Sequence, residues 1–263
     1  MGLPFWIPSA VRIGAPCWRR EADMHRFFVD KAAIAGGAAT LAGEDVKHIA
    51  NVLRLRAGDT ITLCDGEGNE YAARIQAIGA KVQCAVGEAA PAKGEPLHRV
   101  TLYQGLPKAG KMETVIQKCV ELGAFAIVPV AAQRSVVKLT AKDYAGKRAR
   151  YQRVAYEAAK QARRGIIPQI GELCSFFTAD FRSHDLVIIA DEEERVTTLK
   201  AALQTHAGLD IALVVGPEGG LAREEAEALR ARGGIAVTLG KRILRTETAG
   251  MAMLAMTLYE WEG

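Results

Sequence analysis

From residue 97 onward, short aliphatic runs alternate with helix-length segments, and this alternation constrains the fold more than any other feature of the chain. The runs at 99–104, 125–130, 186–190, 211–215 and 235–239 are nearly continuous in Ile, Val and Leu. Strands of that texture are buried on both faces, which calls for helices on each side of a mainly parallel sheet. Helical spacing predicts the covering elements at 111–122, 142–163, 197–206, 223–232 and about 246–261. The fold class is therefore α/β.

The first part of the chain reads differently. Short β-prone segments at 25–29, 60–65, 71–78 and 81–86 are joined by Gly- and Asn-bearing turns, with one helix at 44–55. That pattern predicts a small β-barrel over residues 24–96, followed by a domain over 97–263, with 89–95 as the linker. Residues 1–23 carry Pro and Trp but no basic start and no continuous apolar segment, so they read as a poorly ordered extension and not a secretory signal. Met24 is then a candidate start. No run approaches the ~18 apolar residues that would cross a bilayer. Five widely spaced cysteines without a Cys-x-x-Cys pair suggest neither a disulfide framework nor a zinc site, and the five scattered histidines lack metal-ligand spacing. A reducing cytoplasm, no membrane and no metal are expected.

Two glycine-bearing loops stand where α/β proteins bind small molecules, at strand ends. Gly216-Pro217-Glu218-Gly219-Gly220 follows the run ending in Val215, and Leu239-Gly240-Lys241-Arg242-Ile243-Leu244-Arg245 leads into the last helix. The first is either a ligand loop or an ordinary strand-to-helix turn. Neither loop matches Gly-x-Gly-x-x-Gly or a phosphate-binding P-loop, which disfavours NAD and ATP. Arg245 stands just before the last helix, whose 249–256 segment is apolar, and Thr246 is placed to cap free amides. Its guanidinium serves either a ligand or a structural pair with Glu247 or Glu218.

Two further features bear on partners. Residues 133–165 hold ten Lys or Arg against two acids, while the formal net charge of the whole chain is +4. The helix within this stretch turns Tyr151, Val154, Ala155, Ala158 and Ala162 inward, which leaves the bases for solvent or for a polyanion. The 249–256 segment, Ala-Gly-Met-Ala-Met-Leu-Ala-Met, has no polar face and must be covered by its own domain or by a second subunit.

Taken together, these residues resemble the ribosomal RNA small subunit methyltransferase E family of the SPOUT superfamily. The resemblance is carried by His25-Arg26-Phe27-Phe28-Val29, Gln117-Lys118-Cys119-Val120-Glu121-Leu122-Gly123, Glu157-Ala158-Ala159-Lys160-Gln161-Ala162-Arg163-Arg164, and the two glycine loops through Thr246-Glu247-Thr248-Ala249. It implies a PUA-like N-terminal barrel, a C-terminal domain with a deep trefoil knot, and a homodimer. The implied activity is S-adenosylmethionine-dependent methylation of uridine N3 in 16S ribosomal RNA, free or in the small ribosomal subunit.

Carried over by position, the resemblance implies a cofactor pocket of Ala190, Val215, Gly216, Glu218, Gly219, Gly220, Leu239, Gly240, Leu244, Arg245 and Thr248. Arg245 would stabilise the uridine anion, with Glu218 or Glu247 removing the proton or orienting Arg245. Arg134, Lys138, Arg148, Arg150, Arg153, Arg163 and Arg164 would hold RNA phosphates. Where the family often has Ser, this chain has Ala222, which weakens one helix cap. Two alternatives stay open: a related enzyme acting on transfer RNA or another ribosomal position, and a noncatalytic ribosome-assembly factor.

Overall fold

A computed structural model describes residues 25–108, 110–206 and 208–262. The predicted extension at 1–23 and Met24 lie outside the described residues. The first unit contains Arg26–Phe28 (β1), Ile34–Ala35 (β2), Ala38–Leu41 (β3), Glu44–Lys47 (α1), Thr60–Cys64 (β4), Asn69–Ile78 (β5) and Val82–Pro91 (β6). They form one curled sheet in the order β1-β4-β5-β6-β3-β2, antiparallel except for the β1 and β4 pair. Alternation sends Ile61 and Leu63, Ala73 and Ile75, and Val82 and Cys84 inward, onto Phe27, Leu41 and Ile49.

Two expectations are corrected here, and one element is added. The predicted helix at 44–55 holds α geometry only to Lys47, and His48–Val52 widens into a π turn. β6 runs into the predicted linker, since Ala89–Pro91 pairs with Asn69–Tyr71. The β2 and β3 hairpin, too short and Ala-rich to stand out, was not anticipated.

The second unit contains Arg99–Gly105 (β7), Lys111–Glu121 (α2), Ala126–Val130 (β8), Ala141–Gln161 (α3), Gln169–Ile170 (β9), Leu186–Ala190 (β10), Leu199–Gln204 (α4), Asp210–Val215 (β11), Arg223–Ala231 (α5), Ile235–Val237 (β12) and Thr246–Glu262 (α6). All six strands pair in parallel, in the order β12-β10-β11-β7-β8-β9. The predicted strands and helices are present, with ends shifted by a few residues. Only the two-residue edge strand β9 lacked a hydrophobic signature. One core cluster joins the sheet to α2, α3, α4 and α6, and a second covers the other face around Phe176 and Phe181.

The chain passes from β7 to β8 and β9 on one side, then returns to lay β10, β11 and β12 on the other. That reversal beside β7 and β11 opens a crevice at the carboxyl ends of the strands. α6 is half covered by its own unit. Ala249, Gly250, Met253, Leu254, Thr257 and Leu258 are buried, whereas Met256 and Tyr259 are exposed. No helix among the described residues is long and apolar enough to cross a membrane.

The end of α3 fixes the join between the units. Arg163 takes a left-handed φ of 58°. Its amide bonds Lys160 O at 3.3 Å, and the Arg164 amide bonds Ala159 O at 2.9 Å. This is a Schellman ending, and it turns Arg164 back toward the core. There the guanidinium meets Glu95 at 2.6 Å and donates to Ala124 O at 2.5 Å and Val120 O at 3.2 Å. Glu95 also accepts from the amides of Gly165 and Ile166. The barrel turn joins the same knot of bonds, because Gly68 N donates to Gly165 O and Ile167 N to Gly66 O.

Candidate cofactor and RNA site

A cleft of about 1390 Å³ opens over the ends of β10, β11 and β12. Its apolar walls come from the last residues of those strands and the loop beyond: Ala190, Val215, Val237, Leu239 and Leu244. Charged groups stand around them, including Lys111, Arg134, Glu192, Glu218, Arg242 and Arg245. Such a cavity suits a ligand with a flat apolar part and polar ends.

Close backbone approach builds the floor. A Cβ on Gly105 would stand 2.6 Å from Pro217 N, so only glycine lets the end of β7 reach the 216–220 loop. Gly220 has a φ of +69°, and a Cβ there would meet the Glu192 carboxylate at 2.9 Å. A buried polar bolt then fixes the start of α6 to this floor. Thr246 Oγ1 donates to Gly216 O at 2.5 Å and accepts from Gln104 Nε2 at 2.8 Å. Thr246 therefore does not cap α6 as predicted, because its hydroxyl is committed across the sheet ends. The bolt ties both glycine loops to β7.

Of the predicted cofactor residues, Ala190, Val215, Gly216, Glu218, Gly220, Leu239, Gly240, Leu244 and Arg245 line the cleft together. Gly219 and Thr248 do not line it. The Gly219 carbonyl accepts from Arg134 Nη1 at 3.2 Å, and Thr248 is exposed on the first turn of α6.

Arg245 is exposed in the cleft and makes no hydrogen bond or ion pair through its side chain among the described residues. The structural pairing with Glu218 or Glu247 is absent. Both carboxylates go instead to Lys111 Nζ, each at 3.2 Å. Glu218 also accepts from the Lys108 amide at 3.0 Å. Partial burial works against its charge, yet the Lys108 amide and Lys111 hold the carboxyl below its ordinary range. A carboxylate held that way is a weaker base. Lys111 and Lys108 were missed by sequence reasoning, although a lysine opening a helix has the wrong sign for the helix dipole and could have been a signal.

Ala222 forms no side-chain cap, as expected, but Glu225 compensates. This fully buried carboxylate accepts from Ala222 N at 3.0 Å and from Gln133 N at 2.9 Å, which anchors the segment bearing Arg134 beside the cleft.

The predicted phosphate contacts separate into distinct groups. Arg134 lines the cleft, and Lys138 is exposed nearby with its ammonium on Gln133 O at 3.0 Å. On α3, Arg153 is exposed, Arg150 pairs with Glu113 at 2.9 Å, and Arg148 binds Ile170 O at 2.8 Å and also Glu172. Arg163 is exposed at the helix end. Arg164 is a correction: at 3% exposure and committed to Glu95 and two carbonyls, it is unavailable to a phosphate. The predicted inner face of α3 does turn inward.

Comparison with known proteins agrees with this geometry. Residues 93–258 match the family model for an RNA methyltransferase domain, and residues 41–82 match that for an RNA methyltransferase PUA domain. The ribosomal RNA small subunit methyltransferase E of Bacillus subtilis is 37% identical, over 91% of this chain and 98% of its own. That of Mycobacterium bovis is 32% identical, over 87% and 88%. The crystal structure of the Neisseria gonorrhoeae ribosomal RNA small subunit methyltransferase E bound to S-adenosyl methionine superposes with a TM-score of 0.78 at 31% identity. It covers 90% of this chain and 98% of that one. With its PUA-like barrel and parallel α/β unit, the chain belongs to the ribosomal RNA small subunit methyltransferase E family.

Proposed function

We propose that this chain transfers a methyl group from S-adenosylmethionine to N3 of a uridine in 16S ribosomal RNA of the small subunit. The observation that carries the reading is the Arg245 guanidinium, without a partner among the described residues, in a cleft built from Ala190, the 216–220 loop and the 239–245 loop. The residues present suit this cofactor: an apolar wall for the purine, glycine backbone that admits close approach, and charged groups for the zwitterionic end. When bound, it supplies an electrophilic methyl carbon on a sulfonium, so no metal is needed.

The chain's own groups then have three tasks. The loops hold the donor and align the base behind the methyl group. Arg245 stabilises the negative charge that spreads over O2 and O4 once N3 gives up its proton, a preorganised electrostatic contribution. The N3 proton would pass to solvent in the open cleft, and N3 would take the methyl group while the electron pair of the carbon–sulfur bond stays on sulfur. Glu218 and Glu247 are engaged by Lys111, which leaves Arg245 without a carboxylate partner among the described residues. Because N3 lies on the pairing edge, the uridine must be unpaired or extruded. Arg134, Lys138 and the exposed arginines of α3 hold surrounding phosphates.

The same reading includes a cytoplasmic homodimer and a deep trefoil knot. Supporting the dimer is the uncovered face of α6, with Met256 and Tyr259 exposed beside half-buried Met251, Ala252 and Ala255. Supporting the knot is the return of the chain from the edge strand β12 to α6, which packs on β7 and β11 beneath the 216–220 loop. Mass-spectrometric mapping of 16S ribosomal RNA from a strain lacking the gene tests the function. The expected result is loss of one N3-methyluridine and its return on complementation; an unchanged modification pattern overturns the proposal.

A further inference from the structure

We propose that Lys111 is a positioning residue that keeps the Arg245 guanidinium free by engaging the carboxylates of Glu218 and Glu247. The inference rests on the reading of Arg245 as the group that stabilises the base anion. Lys111 is the first residue of α2, following Gly110 in a left-handed conformation. A cation at a helix N-terminus opposes the macrodipole, so helix stability does not account for it. What offsets the cost is a double ion pair, because its ammonium lies 3.2 Å from both Glu218 and Glu247. These two acids come from separate elements, the loop after β11 and the first turn of α6. One lysine therefore links β7–α2, the 216–220 loop and the helix that follows Arg245.

Charge explains the consequence. Glu218 lines the cleft together with Arg245, and Glu247 stands two residues after Arg245, yet both carboxylates are held on Lys111. Without the ammonium, both carboxylates lose their cation beside the loop that carries Arg245 and are released to pair with its guanidinium. A guanidinium paired in that way has less positive charge to offer the imide anion. At separations of several ångströms in a partly desolvated cleft, one such charge alters an equilibrium or barrier by about tenfold or more.

The test is a set of purified full-length variants assayed for methyl transfer to 16S ribosomal RNA, with S-adenosylmethionine affinity measured alongside. Lys111→Met is expected to lower turnover about tenfold or more while donor affinity changes less than about threefold. Lys111→Arg keeps the charge and retains most of the turnover. The decisive variant is Lys111→Met/Glu247→Gln, which removes one of the two released carboxylates and should recover a measurable part of the lost turnover. A merely structural lysine predicts the opposite, since deleting a second partner repairs no packing. The proposal is overturned if the double variant stays as slow as Lys111→Met, or if Lys111→Met turns over like the parent. Arg245→Ala separates the two levels: full turnover there removes the underlying reading, whereas an inactive Arg245→Ala with an unrescued double variant removes only the role of Lys111.

Discussion

Arg164 and Arg245 are each a basic residue at a helix boundary, yet the fold puts them in opposite situations. Arg164 is buried, clamped between Glu95 and two helix-end carbonyls, and joins the barrel turn to the α/β unit. Arg245 is exposed in the cleft with no partner for its side chain among the described residues. Position along the charge pattern did not distinguish them. What distinguishes them is whether a carboxylate is within reach: Glu95 is brought to Arg164 by the Schellman turn, while Lys111 has already engaged the two acids near Arg245.

This contrast can be broken by substitution. The largest effect is expected at Arg245, where Ala should cut turnover by about 10²–10³-fold with thermal stability and donor affinity retained, as shown by steady-state kinetics and calorimetry. Arg164→Met should do the reverse. It leaves Glu95 buried without its cation, costing about 3–5 kcal/mol in denaturant unfolding while turnover per folded molecule persists. If Arg164→Met instead weakened RNA binding without loss of stability, the separation of the two arginines would fail.

Thr246→Val sharpens the comparison from the cleft side. It keeps the shape but strands the Gly216 carbonyl and leaves Gln104 Nε2 only its bond to Gly105 O, and should cost about 1–3 kcal/mol of stability. Smallest is Arg153→Ala on the exposed face of α3. RNA affinity should fall modestly, and the slope of log affinity against log salt should decrease by about one if a phosphate contact is lost. An unaltered slope would mark Arg153 as a solvated charge.

Much of the architecture was legible because burial on both faces leaves an unambiguous aliphatic signature. β10 was readable to the residue from Leu-Val-Ile-Ile-Ala, and α6 from its lack of a polar face. The first unit was harder, since Ala38–Leu41 has little to mark it and His48–Val52 departs from α spacing only in the backbone. In the site, the glycine loops and Arg245 could be singled out because glycine and charge are conspicuous at strand ends. The groups that organise them could not. Gln104 and Thr246 are 142 positions apart, and Lys111 lies 107 and 136 positions from its two carboxylates. Contacts of that range are created by the crossover order of the sheet, which periodicity does not encode.

The central claim is that the cleft over β10, β11 and β12 receives the methyl donor with Arg245 facing the reacting base. The most direct test is a crystal structure of this chain with S-adenosylmethionine. The donor is predicted between Ala190, the 216–220 loop and Leu239–Leu244, with the Arg245 side chain on the open side of its methyl group. Donor density elsewhere, or an empty cleft at saturating concentration, would contradict the account.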